Sequence, residues 1–342
     1  MAHDANFICW VNNFTHFVIV LTWFVKFLGD SSLENWEKVM MTYFLVIFAA
    51  VSYAIVHLWR VREEAVLLIN STIRIETEFV RRCYPHHVTR YFRIIGVIIM
   101  QSQVMLPASV AMLSILRPCM PFLPSSLISQ ACETWYEKPS ANIIVRIGFT
   151  VLEGYTAATL VGVVGFIISP GLMYSGEVIL LIIDQIERNI KGIRCCPSLR
   201  EYRLVQILGQ LRNNVWKDGA MSSFVGGVIL AESVALYVLF NSFAKIIPRV
   251  VILIFLIVAM DMFIVILTLF KVLARPLATS CALLRTVKNV KMSKYMRTFV
   301  RSCPPSKLRN GNGKYLDKMS SLIVWQTCVD LLITLLLNCL AD

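Results

Sequence analysis

Charge is scarce in this chain. Only 16% of its 342 residues are Asp, Glu, Lys or Arg, and 57% are hydrophobic, whereas a soluble globular domain carries about a quarter charged residues. The mean hydropathy is +0.68. A soluble domain of this length needs no apolar runs near 20 residues, yet such runs recur here; a bilayer core about 30 Å thick demands them of a spanning helix. The strict polar–apolar alternation of a membrane barrel is missing, because the runs are continuous. Metal-ligand spacing is missing too: the ten cysteines include no CxxC and no Cys/His set. No P-loop, HExxH or nucleophile motif is present, so neither an enzyme nor a metal or cofactor is expected. Residues 1–10 hold no Lys or Arg. The charged start of a cleavable signal peptide is therefore absent, and the first span is expected to act as its own insertion signal. There is no internal repeat or low-complexity tract, and 1–342 reads as a single seven-helix domain.

Seven apolar segments remain, at about 9–28, 38–59, 91–116, 147–168, 220–243, 248–273 and 318–340. The first is the weakest, being interrupted by Asn12, Asn13, His16 and Lys26. Net charge is +12, and its placement is informative. Six Lys and Arg lie in 60–90, seven in 169–217 and twelve in 271–318, which is 25 of the chain's 33. The alternate segments 29–37, 117–140 and 244–247 hold three between them. The positive-inside rule puts the three basic loops in the cytoplasm, the N-terminus inside and the C-terminus outside. The fold class expected is an all-α, polytopic membrane protein with seven transmembrane helices. Charge spread over three membrane-proximal loops, with no aromatic-interleaved strip, excludes a nucleic-acid partner. The basic loops have helical patterning: 176–193 sets Glu177, Asp184, Glu187, Arg188 and Lys191 against an apolar stripe, and 201–216 repeats the pattern and can pair with it.

The last segment carries the most chemistry. Its polar residues are Gln326, Thr327, Asp330, Thr334 and Asn338. At about 100° per residue, Thr327, Asp330, Thr334 and Asn338 share one narrow face of a helix. A charge at mid-membrane is tolerated only against protein or water. That face is either a water-lined pore with Asp330 attracting cations or a polar contact inside a helix bundle. Three further acids, Glu153, Glu232 and Asp261, fall in apolar segments. Each either lines a polar cavity or satisfies a hydroxyl or Arg146 on a neighbouring span. Cys119 and Cys132 lie between spans three and four, where an oxidising exterior allows a disulfide; two free thiols are the other reading.

The inside N-terminus, the basic last loop and the final span together resemble the insect-type chemoreceptors, the gustatory and odorant receptors of arthropods. Gustatory receptors carry in their last span Thr-Tyr, five hydrophobic residues and Gln-Phe. Here Met319-Ser320 is followed by SLIVW and then by Gln326-Thr327, so the apolar five and the glutamine match while the Thr-Tyr and Phe do not. The approach at 301–321 is Pro/Gly/Asp-bearing, as in divergent members. The resemblance implies a plasma-membrane, multi-pass, ligand-gated, non-selective cation channel for a small tastant or odorant. It implies a lipid-embedded homo- or hetero-tetramer held through its C-terminal spans, with 318–340 as the pore helix. It also implies an outward-opening pocket among spans two to six. In this chain the aromatics Tyr43, Phe44, Phe149, Tyr155, Tyr237 and Phe240 would meet the ligand there, with Glu153 or Glu232 for a polar group. A secondary transporter built on the intramembrane acids is the alternative. A G-protein-coupled type of receptor needs the opposite orientation.

Overall fold

The computed structural model describes residues 2–27, 34–80, 86–120, 122–128, 143–191, 199–217, 219–242, 247–288, 294–310 and 314–340. Twelve α-helices run through them: α1 (Ala2–Phe27), α2 (Asn35–Arg60), α3 (Arg62–Val80), α4 (His86–Leu116), α5 (Ser125–Ile128), α6 (Ile143–Phe166), α7 (Ser175–Lys191), α8 (Leu199–Val215), α9 (Ala220–Asn241), α10 (Arg249–Lys288), α11 (Lys294–Ser302) and α12 (Ser320–Leu340). An eight-residue wide-turn segment, Ile167–Tyr174, joins α6 to α7.

Six of these stretches are long and apolar enough to cross a membrane, at Asn35–Arg60, Phe92–Leu116, Ile143–Asn189, Ala220–Asn241, Arg249–Lys288 and Ser320–Asn338. The seventh long helix, α1, carries Asn12, Asn13 and His16 within its apolar run, and those residues have partners. Asn13 Nδ2 donates to the Phe48 carbonyl at 3.1 Å and to Ser52 Oγ at 2.6 Å on α2. Asn12 Nδ2 donates to Thr156 Oγ1 on α6 at 2.9 Å, and His16 Nε2 meets the same oxygen at 2.8 Å. Polar groups satisfied between helices carry little penalty in lipid. The outer surface is apolar: Val97, Met100 and Val104, on one face of α4, are 65–70% exposed. An apolar surface of this extent suits lipid rather than water. The chain is a multi-pass, all-helical membrane protein.

The basic stretches fold into a helical layer at one end of the bundle, called here the basic end. Region 60–90, expected as a loop, holds α3, which continues α2 after a single turn at Val61. Span six does not end near 273; α10 continues unbroken to Lys288, so the first part of 271–318 is helix. The expected pairing of 176–193 with 201–216 is present, with α7 packed on α8 and both against α3. The stripe Val178, Ile179, Ile182, Ile183 and Ile186 of α7 is buried in the core that α3, α8 and α10 complete.

Between α11 and α12 the described residues 303–310 and 314–319 pair across an antiparallel bridge, Arg309 with Tyr315, and are held by side chains of three helices. Asn213 on α8 donates from Nδ2 to the Lys307 carbonyl at 2.8 Å and accepts the Arg309 amide on Oδ1 at 2.9 Å. Tyr202 donates its hydroxyl to the Pro304 carbonyl, and Ser222 on α9 donates to that of Asn310. Ser280 on α10 accepts the Ser306 amide at 3.0 Å. Burial, and after it the nearby Cys303 and Cys281 thiols, push the Tyr202 phenol above its usual range, so it stays a hydrogen-bond donor at neutral pH. Asp317 then caps α12, accepting from the Met319 amide and the Ser320 hydroxyl. Asn213→Ala removes both bonds to the connector at once and is expected to destabilise the basic layer by about 1–3 kcal/mol; thermal melting of the detergent-solubilised chain reads it.

At the α6–α7 junction, Pro170 cannot donate to the helical ladder, and the helix widens there. The Gly171 carbonyl accepts Trp216 Nε1 at 3.3 Å. A Cβ on Gly171 would sit 3.0 Å from the Trp216 ring, so only glycine lets the indole lie this close. Two apolar cores result, one around α7, α8 and the basic halves of α9 and α10, the other around α1, α2, the residues Met120, Phe122 and Leu123, and the opposite halves of α9 and α10.

Candidate functional site

Between the two cores lies a cavity of about 210 Å³, walled by α2, α4, α6, α9 and α10. This is smaller than the roughly 300–1,000 Å³ common for drug-sized ligands, so it suits a small molecule. The wall runs from Tyr43 to Leu58 along α2 and from Ala220 to Ala231 along α9. The cavity is therefore displaced toward the basic end. Trp216 and His57 close that end; His57 Nε2 donates to the Val215 carbonyl at 2.8 Å, which holds the ring in place. Asp261 on α10 enters the wall beside Ser102 on α4, whose hydroxyl reaches Asp261 Oδ2 at 2.6 Å.

The α4–α6 side of the wall depends on a close approach. With its amide set so that both ends are satisfied, Gln103 donates to the Ala158 carbonyl at 3.3 Å and accepts the Gly162 amide at 2.8 Å. A Cβ on Gly162 would stand 3.2 Å from that side chain.

The sequence-derived ligand residues divide sharply. Tyr43 lines the cavity. Phe44 lies outside the wall, stacked on Phe122 with ring centroids 4.0 Å apart. Tyr237 is fully buried in the core nearer the opposite end, and Phe149 is half-buried outside the wall. Tyr155 and Phe240 are 48% and 53% exposed on the apolar outer surface, so they do not face an interior pocket. Glu153 and Glu232 are buried, each with one carboxylate oxygen lacking a partner among the described residues, and neither is in the cavity wall. Asp261, weighed in the sequence only as one of three intramembrane acids, is the acid that reaches the cavity. Hydropathy alone does not separate these three, because each sits in a similar apolar run. Ser102, Tyr53, His57 and Trp216 were not singled out in the sequence, and nothing local marks them.

The final helix places its two faces clearly. Val324, Cys328 and Leu332 are buried against the bundle, and Ser233 on α9 donates to the Cys328 carbonyl at 3.1 Å. Gln326, Thr327, Asp330, Thr334 and Asn338 are all exposed on the side away from it. Thr327 and Thr334 donate their hydroxyls to the Ile323 and Asp330 carbonyls of their own helix. The polar stripe thus makes no contact inside its own bundle through these groups. Cys119 is in a disulfide, while Cys132 lies outside the described residues. Among the described residues no group of three His, Cys, Asp or Glu side chains is placed to hold a metal.

No protein-family model matches the sequence, and no curated protein is detectably similar to it. Solved structures do match. The insect olfactory receptor OR5 from Machilis hrabei superposes with a TM-score of 0.66 over 96% of this chain and 87% of that one, at 11% identity. The chain has the insect olfactory-receptor fold. The same receptor in complex with eugenol gives a TM-score of 0.68 over 97% and 88% of the two chains, again at 11% identity. In olfactory-receptor terms, the likeness extends through the basic layer and the last helix, since it covers nearly the whole chain. Helices need only stay apolar in the right places to keep the fold, so identity can fall far while geometry persists.

Proposed function

We propose that the chain is a chemosensory receptor of the gustatory or odorant type, working in the plasma membrane as a ligand-gated cation channel. The observation that carries this reading is the polar face of α12. Five polar side chains, one of them an acid, lie together on the surface of a membrane-embedded helix, turned away from the bundle. Facing lipid, Asp330 alone would cost about 2.5–3.5 kcal/mol on insertion scales. Facing a water-filled axis shared with other copies, it is solvated and useful. Four subunits arranged around that axis would set four Asp330 carboxylates in one ring, which attracts cations. The N-terminus and the basic layer lie in the cytoplasm, in keeping with the charge count, and Cys119 pairs with Cys132 on the outside.

The cavity, nearer the basic end than the outward-opening pocket the resemblance implies, is the ligand site, and a continuous mechanical route joins it to the pore. Trp216 contacts the cavity and also holds the widened segment after α6. Three residues before it, Asn213 clamps the connector that leads into α12. Ser321 at the start of α12 donates to the Ile266 carbonyl of α10, next to cavity-lining Val265. A ligand that binds one packing of these elements better than another shifts their equilibrium by its differential affinity.

Expression of the full chain in oocytes, with recording during application of small volatile and tastant molecules, tests the reading. Ligand-evoked current carried by both Na⁺ and K⁺ is the expected result. Saturable solute uptake without channel current would instead mean a transporter.

A further inference from the structure

The chemistry of the cavity wall narrows the class of ligand. Asp261 is its one carboxylate, and no Lys or Arg lines it. The Ser102 hydroxyl lies 2.6 Å from one carboxylate oxygen, Oδ2, and 2.9 Å from the Ile98 carbonyl, and Asp261 has no ion-pair partner among the described residues. Around it the wall is apolar except for a few hydroxyls, His57 and the aromatic rings of Tyr43, Tyr53 and Trp216. An anionic ligand finds no countercharge here and meets a carboxylate. A neutral ligand fills the apolar volume but leaves a membrane-embedded acid unpaired. A cationic head satisfies the acid, and the aromatic faces suit it as well.

We propose that the cavity binds a small organic amine, with its ammonium on Asp261 and its apolar body against the α2 and α9 walls. The proposal rests on the reading of this cavity as the receptor's ligand site and specifies the headgroup. Ser102 positions the carboxylate by holding Oδ2, which leaves Oδ1 for the ligand. A bulky quaternary head is disfavoured, because it offers no N–H to the oxygen and the cavity is small.

The test compares isosteric pairs on the purified full chain in lipid nanodiscs: butylamine with butanol, hexylamine with hexanol, and 2-phenylethylamine with 2-phenylethanol. Binding is read by competition and by thermal stabilisation, neither of which requires current. At least one amine is expected to bind about tenfold more tightly than its alcohol, the ratio between a charge-assisted and a neutral hydrogen bond. Asp261→Asn is expected to bring that ratio to near one. The proposal is overturned if no amine of the set outbinds its alcohol on the wild-type chain, a comparison that needs no variant to fold. It is equally overturned if the preference survives in Asp261→Asn. Amine binding without evoked current would retain this inference and remove the channel reading; currents evoked equally by amines and alcohols would do the reverse.

Discussion

Replacing Asp330 with lysine is expected to abolish cation current while leaving the folded chain in the membrane. The residue is exposed, and the buried side of its helix is carried by Val324, Cys328 and Leu332. Among the described residues no hydrogen bond between α12 and the bundle depends on its carboxylate: Ser233 and Ser321 make theirs to backbone carbonyls. A cation about 5 Å from a carboxylate gains roughly 3 kcal/mol at an effective dielectric near 20, and lysine turns that attraction into a repulsion of similar size. Passage should slow by at least about a hundredfold. Asp330→Ala, which only removes the attraction, should give a smaller loss together with weaker selectivity for cations over anions. Whole-cell current and reversal potential, normalised to surface expression, measure both. Unchanged conductance and selectivity in the lysine variant would place the pore elsewhere and return the polar stripe to a plain contact between copies.

The second large effect is expected at Trp216. Its ring is 5% exposed, and it lies between the cavity and the widened segment after α6. Trp216→Ala leaves a void that neighbouring helices fill only in part, which costs about 3–5 kcal/mol. It also strands the Gly171 carbonyl. Melting of the solubilised chain should fall by roughly 6 °C or more, on the scaling for chains of this order of size. Trp216→Phe keeps most of the bulk and loses only the indole donor, so its loss should be about 1 kcal/mol. In recordings, the alanine variant should also need more ligand, because the cavity loses its floor. An alanine variant as stable as the wild type would show that the junction is held by the backbone alone.

Nearby, Arg212 illustrates how the basic layer departs from a simple charged surface. It is 3% exposed, and burial pulls its guanidinium down to about 10, still well above neutral pH. Its Nε and Nη2 have no partner among the described residues. As a count of charge it served the positive-inside rule; in the fold it is an interior residue packed against Gly176 of α7.

What the sequence determined by itself is the set of properties that depend on one helix at a time. Run length and apolarity established helical spans, because a bilayer imposes both on every crossing segment. The clustering of Lys and Arg marked which ends share a layer. A polar stripe at helical spacing identified α12, since its four members lie on one face whatever the neighbours do. Properties that depend on how helices face one another required the tertiary structure. Helix α9 is apolar nearly all round, so nothing local says that Tyr237 turns inward and Phe240 outward; packing against α2, α10 and α12 sets that rotation. Helix α1 reads as a weak span because Asn12, Asn13 and His16 find their partners on α2 and α6, more than thirty residues away in sequence. The continuation of α10 to Lys288 through Pro276 is stabilised by burial of Leu283 and Val287, not by propensity. The cavity is the clearest case: its walls come from five helices, and what places Asp261 in them while Glu153 and Glu232 stay out is the packing of those helices.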